Sequence, residues 1–372
     1  MTNLVLYRKY RPQNFSEVIG QEHVVQTLTN AISSGMVSHA YLFSGPRGSG
    51  KTSLARILAK AVNCENLKVF EPCNKCSSCL EIMESRSLDL IEIDAASHRG
   101  IDEIRNLKDG IRFAPTKSKY KVFIIDECHQ LSKDAANALL KTLEEPPSHA
   151  IFVLATTEIQ KMILTIISRC QRFDFRKLTF PEIIKKLEII SKKEKVKIEK
   201  AALELIALNS GGSVRDGESL LSQVFTFSDT LGKEREIKAE DIKDLLGIVE
   251  INLVSEFVDF IINKNPSEAI DFLNTTIEKG KDLQEFTKIL INYLRQALIL
   301  KITQVKENQN SIITGFTKEE FQKLQKQATS FEEEKLKNTL NLFLEAENKM
   351  RYSPIPQLPL ELAIIETVGP KE

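Results

Sequence analysis

The chain has 372 residues, of which 42% are hydrophobic and 27% are charged, a composition that excludes an intrinsically disordered protein. At roughly 100–200 residues per domain, this length predicts two or three domains. The 51 basic and 51 acidic side chains cancel, which excludes a highly basic chain but not a local basic surface. Residues 1–179 carry 24 basic and 19 acidic side chains, so this part is basic and the remainder is acidic.

The sequence predicts no membrane-spanning helix, because no apolar run approaches the roughly 18 residues that a span requires. The first eleven residues contain no apolar core of a signal peptide. We therefore expect a cytoplasmic protein without contact with a membrane. In that compartment the six cysteines are not expected to form structural disulfides.

Short apolar runs and helical stretches alternate through residues 1–179, which indicates an α/β layer with a largely parallel sheet. The predicted strands are 40–44, 88–94, 121–126, 150–156 and 172–176. The predicted helices between them are 51–62, 100–113 and 134–145. We interpret residues 1–179 as one α/β domain.

From residue 180 onward only helical periodicity remains. We predict a small helical domain over 180–243 and an all-helical third domain over 244–372. The predicted helices are 183–195, 200–209, 214–227, 252–263, 266–280, 283–302, 318–327 and 331–350, with a last short helix after 353–359.

A phosphate-binding loop is predicted between the strand 40–44 and the helix 51–62. It matches G-x-x-x-x-G-K-[ST] at Gly45, Pro46, Arg47, Gly48, Ser49, Gly50, Lys51 and Thr52. The glycines allow backbone N–H groups to converge on phosphate oxygens, and the helix N-terminus adds positive charge. We expect Lys51 to reach the β- and γ-phosphates and Thr52 to ligate Mg²⁺.

The strand 121–126 ends in an acidic pair, which together with the phosphate loop predicts a triphosphatase site and a nucleotide-binding domain over 1–179. Asp126 is expected to hold Mg²⁺ through water, and Glu127 to polarise the attacking water as a general base. The transition state also needs polar or positive groups, for which Thr157, Arg169 and Arg215 are candidates. From the residues alone, these three are polar side chains at the ends of elements.

Four cysteines lie within 16 residues, at Cys64, Cys73, Cys76 and Cys79. Four thiolates with C-x2-C spacing can close a tetrahedral Zn²⁺ shell, whereas a redox C-x-x-C needs only two cysteines. An iron–sulfur cluster stays open as an alternative, although the short loop favours a structural zinc module over 64–79. A fully cysteine-bound zinc leaves no open position for catalysis.

Together these motifs resemble the clamp-loader ATPases of the AAA+ class, and among them the gamma/tau family of bacterial DNA polymerase III. The resemblance covers residues 4–245 densely, and the third domain mainly in architecture. It is carried by the phosphate loop, the cysteines and the segments Tyr7–Pro12, Val18–Gln21, Ile125–His129, Leu139–Pro147, Ala155–Glu158, Ser168–Cys170 and Pro359–Ala363.

The resemblance implies residue roles that spacing does not show. Thr157 is implied to be a polar sensor near the γ-phosphate, and Arg169 an arginine finger that reaches the site of a neighbouring subunit. Arg215 is implied to clamp the nucleotide from the lid domain. The segment Tyr7–Pro12, including Arg11, together with Val18 and Ile19, is implied to border the adenine of ATP.

The resemblance also implies a function and partners. The chain is expected to be the ATPase subunit of a replicative clamp loader at the nucleoid, in a ring with copies of itself and with delta- and delta-prime-like subunits. The third domain is implied to be the collar of that ring. ATP would drive opening of the sliding clamp and its loading on primer-template DNA.

DNA contacts are expected to go to phosphates, without sequence preference and with strong salt dependence. The candidates are Arg99, Arg105, Lys141 and Lys161. Two other functions stay open at this point: a DNA-remodelling AAA+ motor such as a branch-migration helicase, and a scaffold that binds ATP without hydrolysing it.

Overall fold

The computed structural model describes residues 5–97, 110–111, 113–231, 236–245, 251–303 and 318–369. The chain divides into two compact units, Met1–Ala239 and Glu240–Glu372. The first unit contains both the sheet and the helices predicted for the second domain, so the predicted three-part division stays a prediction.

The first unit is built on a parallel sheet with the strand order β2-β3-β4-β1-β5. Its strands are β1 Ala40–Ser44, β2 Leu90–Asp94, β3 Lys121–Asp126, β4 Ala150–Thr156 and β5 Gln171–Asp174. The predicted strands are therefore confirmed, with three shifted ends: β2 begins two residues later, and β5 begins one residue earlier and ends two residues earlier. Leu88 is 74% exposed and precedes the first paired residue, Leu90. Beyond β5, Phe175 donates one more hydrogen bond to Ser44 before the chain leaves the sheet.

The helices of the first unit cover both faces of the sheet and continue beyond it. They are α1 Leu6–Lys9, α2 Glu22–Ser33, α3 Lys51–Val62, α4 Ser77–Met83, α5 Lys133–Glu144, α6 Leu164–Ile167, α7 Phe180–Glu194, α8 Lys200–Asn209 and α9 Val214–Leu231. The helix predicted over 100–113 falls almost wholly outside the described residues.

Side chains that alternate along the strands divide the core of this unit between the two faces of the sheet, as the pleat requires. Tyr41 and Phe43 of β1 pack in one buried cluster with Leu54 and Leu58 of α3. Leu42 packs on the other face, in a cluster that includes residues of α5. The central strands β1, β3 and β4 are therefore buried on both sides, and the carboxyl edge of the sheet carries the polar residues that follow the strands.

The second unit is helical throughout its described residues, as predicted. Its helices are α10 Ala239–Leu245, which begins at the last residue of the first unit, α11 Ile251–Ile262, α12 Pro266–Glu278, α13 Leu283–Thr303, α14 Lys318–Ser330, α15 Glu333–Met350 and α16 Leu358–Val368. One apolar core holds it together, with Phe257 in edge-to-face contact with Phe286 and Phe343.

Among the described residues, every helix is too short or too polar to span a bilayer.

Candidate nucleotide site and cysteine module

The phosphate loop joins β1 to α3 at the carboxyl edge of the sheet, where the sequence placed it. Gly45, Gly48 and Gly50 all have positive φ, a conformation that other residues rarely adopt. Two of them also leave no room for a side chain. A Cβ on Gly45 would lie 2.8 Å from Phe175 Cβ, and a Cβ on Gly48 would overlap the Ser213 hydroxyl. The loop is therefore shaped by backbone conformation and by close neighbours.

Lys51 begins α3 and is only 6% exposed. Its Nζ donates to the carbonyl oxygens of Gly45 at 2.7 Å and Pro46 at 2.9 Å, so the side chain folds back along the loop. Burial lowers the pKa of Lys51, while Glu127 and Asp126 act in the opposite direction. Thr52 follows and donates from Oγ1 to Asp126 Oδ2 at 2.6 Å. The two predicted Mg²⁺ ligands therefore lie side by side.

Glu127 follows β3 in the left-handed region, with φ 48° and ψ 42°. Such a conformation costs a non-glycine residue of order 1–3 kcal/mol, so contacts must maintain it. Thr157 supplies them, donating to Glu127 Oε2 from Oγ1 at 2.8 Å and from its backbone N–H at 3.3 Å. The structure thus brings the predicted base and the predicted sensor into direct contact.

His129 is a residue that the sequence analysis did not assign. Its side chain is 3% exposed, with Nδ1 3.0 Å from Thr156 Oγ1 and 3.5 Å from Glu127 Oε2. Its Nε2 lies 3.4 Å from Glu158 Oε1. The available signal was its position two residues after Glu127, in the short turn Cys128–Gln130 that follows β3. His129 therefore lies buried beside the carboxylate of the predicted base.

A cavity of about 240 Å³ opens in front of the phosphate loop. The N-terminal segment forms one wall with Tyr7, Arg11, Val18 and Ile19, for which a place beside the adenine was predicted, and α7 and α9 form another. Arg215 of α9 reaches over the Tyr7 ring, with Cζ 4.8 Å from the ring centre. The residues that line the cavity are Tyr7, Arg8, Arg11, Pro12, Glu17, Val18, Ile19, Arg47, Gly48, Ser49, Gly50, Lys51, Thr52, Ser53, Asp126, Glu127, Leu178, Lys186, Val214, Arg215 and Glu218.

Glu218 and Lys186 are cavity residues that the sequence analysis also missed. Glu218 lies one helical turn after Arg215 and is 5% exposed, and Lys186 Nζ is 3.7 Å from its Oε1. Burial raises the pKa of Glu218 to about 7, although Lys186 and Arg11 favour the ionised form. Nothing in the sequence marks this glutamate, because the burial that shifts its pKa arises only when the helices pack.

Arg169 lies outside the cavity lining of its own chain. Its guanidinium donates to Thr165 O and to Glu144 Oε1, both on the surface beside α5 and α6. The side chain keeps 33% exposure. Its position is therefore compatible with a role toward another molecule and not toward the phosphate loop of this chain.

The candidate DNA residues are only partly placed. Lys141 is exposed on α5, and Lys161 is exposed and paired with Glu158 at 2.8 Å. Arg99 and Arg105 lie outside the described residues. The structure does not bring Lys141 and Lys161 to the nucleotide cavity.

The four predicted cysteine ligands converge. The Sγ atoms of Cys64, Cys73, Cys76 and Cys79 lie within 4.8 Å of one another, and the module spans the end of α3 to the start of α4. Backbone N–H groups of Lys75 and Cys76 point at Cys73 Sγ, and these hydrogen bonds lower the pKa of that thiol to about 6. Four thiol donors at this spacing fit a tetrahedral Zn²⁺ ion.

Family models match three consecutive segments of the chain. Residues 20–179 match the model described as DNA polymerase III, delta subunit. Residues 182–230 match the DNA polymerase III clamp loader subunit, ATPase lid domain. Residues 237–371 match DNA polymerase III subunits gamma and tau domain III.

Curated relatives cover nearly the whole chain. DNA polymerase III subunit tau of Bacillus subtilis is 43% identical over 366 residues, which are 98% of this chain and 63% of that protein. DNA polymerase III subunit gamma of Buchnera aphidicola is 34% identical over 369 residues, which are 99% of each chain. This chain spans less than two thirds of the Bacillus relative and 46% of the Escherichia coli tau subunit.

Among solved structures, the Holliday junction branch migration motor RuvB of Thermotoga maritima aligns with 77% of this chain and 91% of its own. At 21% identity and a TM-score of 0.49, that likeness carries no argument about function.

A phosphate loop at the carboxyl edge of a parallel sheet, facing an acidic pair and covered by a helical lid, defines a P-loop nucleotide-binding protein of the AAA+ class. Within that class, the chain belongs to the family of DNA polymerase III gamma and tau subunits.

Proposed function

We propose that this chain is the ATPase subunit of a replicative clamp loader, which opens a sliding clamp and loads it on primer-template DNA during replication. The observation that carries the proposal is one cavity into which the phosphate loop, Asp126, Glu127 and Arg215 all face. The match of residues 182–230 to a clamp-loader lid supports clamp loading over the other uses of such a cavity.

In this proposal ATP lies along the phosphate loop. The backbone N–H groups from Gly45 to Gly50, including those of Arg47 and Ser49, would bind phosphate oxygens, and Lys51 would turn from Pro46 to the β- and γ-phosphates. Thr52 and Asp126 would hold Mg²⁺, whose charge offsets that of the phosphates. Arg11, Val18 and Ile19 would border the adenine.

Hydrolysis would be carried out by residues of two subunits. Glu127 would take the proton of the attacking water, and Thr157 would hold that carboxylate until the γ-phosphate offers a competing partner. Arg215 would bind the nucleotide from the lid of the same chain. Arg169 would enter the cavity of a neighbouring subunit and stabilise the charge of the transferring phosphate.

The proposed partners follow from a site that is completed by a neighbouring subunit. Copies of this chain, with delta- and delta-prime-like subunits, would form a ring that ATP tightens around the clamp and the DNA. Lys141 and Lys161, together with Arg99 and Arg105, are the proposed phosphate contacts of the DNA. Hydrolysis would then release the clamp on the DNA.

We further propose that Cys64, Cys73, Cys76 and Cys79 hold a structural Zn²⁺ ion. The four thiolates would fill its coordination shell, so the metal would supply folding energy to the module and no catalysis. Metal analysis tests this, with one zinc per chain as the expected content. Iron with visible absorption would instead favour a cluster.

The clamp-loading proposal is tested by measuring ATP hydrolysis by the chain, assembled with its partner subunits, with and without clamp and primed DNA. We expect ATP hydrolysis to be stimulated only when clamp and primed DNA are both present. Turnover that DNA leaves unchanged would favour a scaffold, and duplex unwinding without a clamp would favour a branch-migration motor.

A further inference from the structure

The cysteine module touches the N-terminal segment that forms a wall of the nucleotide cavity. Glu71, between Cys64 and Cys73, accepts hydrogen bonds from two consecutive backbone N–H groups, that of Phe15 at 2.9 Å and that of Ser16 at 2.8 Å. Asn74 donates to Asn14 Oδ1 at 2.6 Å. Both contacts cross more than 50 positions of the sequence, so they are tertiary contacts that depend on the folded module.

Lys60 also connects the cysteine module to the N-terminal segment. It lies on the last turns of α3, is 2% exposed, and has three donors for three acceptors. Its Nζ donates to Gln13 O at 2.6 Å, to Gln13 Oε1 at 2.8 Å and to Asn74 Oδ1 at 2.7 Å. A buried ammonium that is fully hydrogen-bonded fixes the positions of its acceptors, because releasing one leaves a buried charge unsatisfied.

The fixed segment continues directly into the cavity wall. Gln13 donates from Nε2 to Arg11 O at 3.1 Å and from its backbone N–H to Glu17 Oε2 at 2.7 Å. Arg11 and Glu17 both line the cavity, as do Pro12 and Val18. Hydrogen bonds of Glu71, Asn74 and Lys60 therefore hold residues 13–16, which adjoin the cavity-lining residues on both sides in the sequence.

We infer that the cysteine module positions this wall of the nucleotide cavity, so that metal binding by the cysteines and nucleotide binding by the cavity are coupled. The inference rests on the proposed function, which places ATP in the cavity and zinc at the cysteines. A metal closes the 64–79 loop and thereby orders Glu71 and Asn74, which hold residues 13–16. Glu71 and Lys60 are positioning residues, since neither lines the cavity.

Coupling of this kind is reciprocal: the factor by which zinc improves nucleotide affinity is the factor by which nucleotide improves zinc affinity. We test it on the full chain with MgADP, which binds without turnover. The dissociation constant of MgADP is measured by calorimetry on metal-loaded and chelator-stripped protein. The zinc affinity is measured by competition with a chromophoric chelator, with and without MgADP.

We expect removal of zinc to weaken MgADP binding about tenfold, and bound MgADP to raise the affinity for zinc by the same factor. Glu71→Gln keeps all four cysteines but replaces one acceptor with a donor that faces a backbone N–H. We expect this variant to retain one zinc per chain and to bind MgADP about tenfold more weakly. Lys60→Met is expected to behave in the same way and guards against a fold defect particular to residue 71.

Glu65→Gln is the matched control, because Glu65 belongs to the same module but, among the described residues, accepts from Ser77 Oγ at 2.7 Å instead of from residues 13–16. It should retain wild-type affinity for both ligands. Equal MgADP affinity with and without zinc, or equal behaviour of Glu71→Gln and Glu65→Gln, would overturn the inference and leave the proposed function intact. Metal-loaded wild-type protein that does not bind MgADP at all would contradict both.

Discussion

Gly48 and Gly50 show how two glycines of one loop are needed for different reasons. Both have positive φ, but only Gly48 lies against another residue, the Ser213 hydroxyl at the start of α9. Around a Cβ on Gly50 there is no heavy atom within 4 Å in the described structure. The motif specifies Gly45 and Gly50 but leaves position 48 open, and the close contact with Ser213 explains the glycine found there.

We therefore expect Gly48→Ala to lower the thermal stability of the first unit more than Gly50→Ala does. Each substitution costs about 1–2 kcal/mol because alanine disfavours the left-handed conformation, and Gly48→Ala is destabilised further by the overlap with Ser213. Adding Ser213→Ala should recover part of the loss, since only the Ser213 Cβ would remain, 3.0 Å away. Equal melting temperatures of the two single variants would contradict this account.

Glu218 makes stability depend on pH in an unusual direction. Its pKa is about 7 in the folded chain and 4.5 in the unfolded chain, so the folded state holds the proton more tightly. Folding is therefore penalised increasingly as pH rises from 4.5 to 7. We expect Glu218→Gln to raise stability by about 1–3 kcal/mol at pH 8 and by little at pH 4.5.

Thermal melts of wild type and Glu218→Gln between pH 4.5 and 8 measure the effect. A gain that is the same at every pH would show that the ionised carboxylate is not penalised. Neither this shift nor the contacts of His129 could be predicted from the sequence, because both arise from side chains that only the fold brings together.

At the scale of elements, the junction between β5 and α7 joins the sheet to the lid helices. Glu182, in the first turn of α7, accepts from Thr179 N at 2.8 Å and forms a two-point pair with Arg176. The Arg176 guanidinium lowers the pKa of Glu182 to about 2, so its contribution to stability is complete above 4.5 and is lost as pH falls toward 2.

Glu182→Gln tests this junction. We expect a loss of about 1 kcal/mol at pH 7, from a charged hydrogen-bonded pair at a helix start. The gap between the melting temperatures of variant and wild type should narrow at pH 3. Glu188→Gln, on the same helix, serves as a control, and a gap for Glu182→Gln that stays constant with pH would contradict the assignment.

Strands were the elements that the sequence predicted best, and the reason is their burial. Strands β1, β3 and β4 are buried along nearly their whole length and read as continuous apolar runs. Helix α2 was missed although Val24 and Leu28 lie four positions apart on its buried face. The short helices α1 and α4 could not be predicted, because tertiary contacts and the cysteine module define them.

At the scale of the whole molecule, the position of Arg169 bears on whether this residue acts in its own chain or on a neighbouring chain. It bonds Glu144 and lies outside the cavity of its own chain. Arg169→Ala should therefore leave ATP binding by the isolated chain unchanged, and lower stimulated turnover of the assembled complex about 10³-fold or more.

Arg172→Ala is the control, since Arg172 is a nearby exposed arginine that pairs with Asp174. It should retain stimulated turnover. Unchanged turnover in Arg169→Ala would remove the finger role while leaving the cavity as the ATP site.

The neutral net charge of the chain gives no indication of such a role, because it sums a basic first part and an acidic remainder.

Glu127 is held by Thr157 beside the phosphate loop. We propose as the central claim that it activates water for ATP hydrolysis. Single-turnover hydrolysis by the assembled complex, with Glu127→Gln beside wild type, tests it most directly. Glutamine retains the contact with Thr157 but is a very poor base. We predict MgATP affinity close to wild type and hydrolysis at least about 100-fold slower. Hydrolysis by Glu127→Gln at the wild-type rate would contradict the claim.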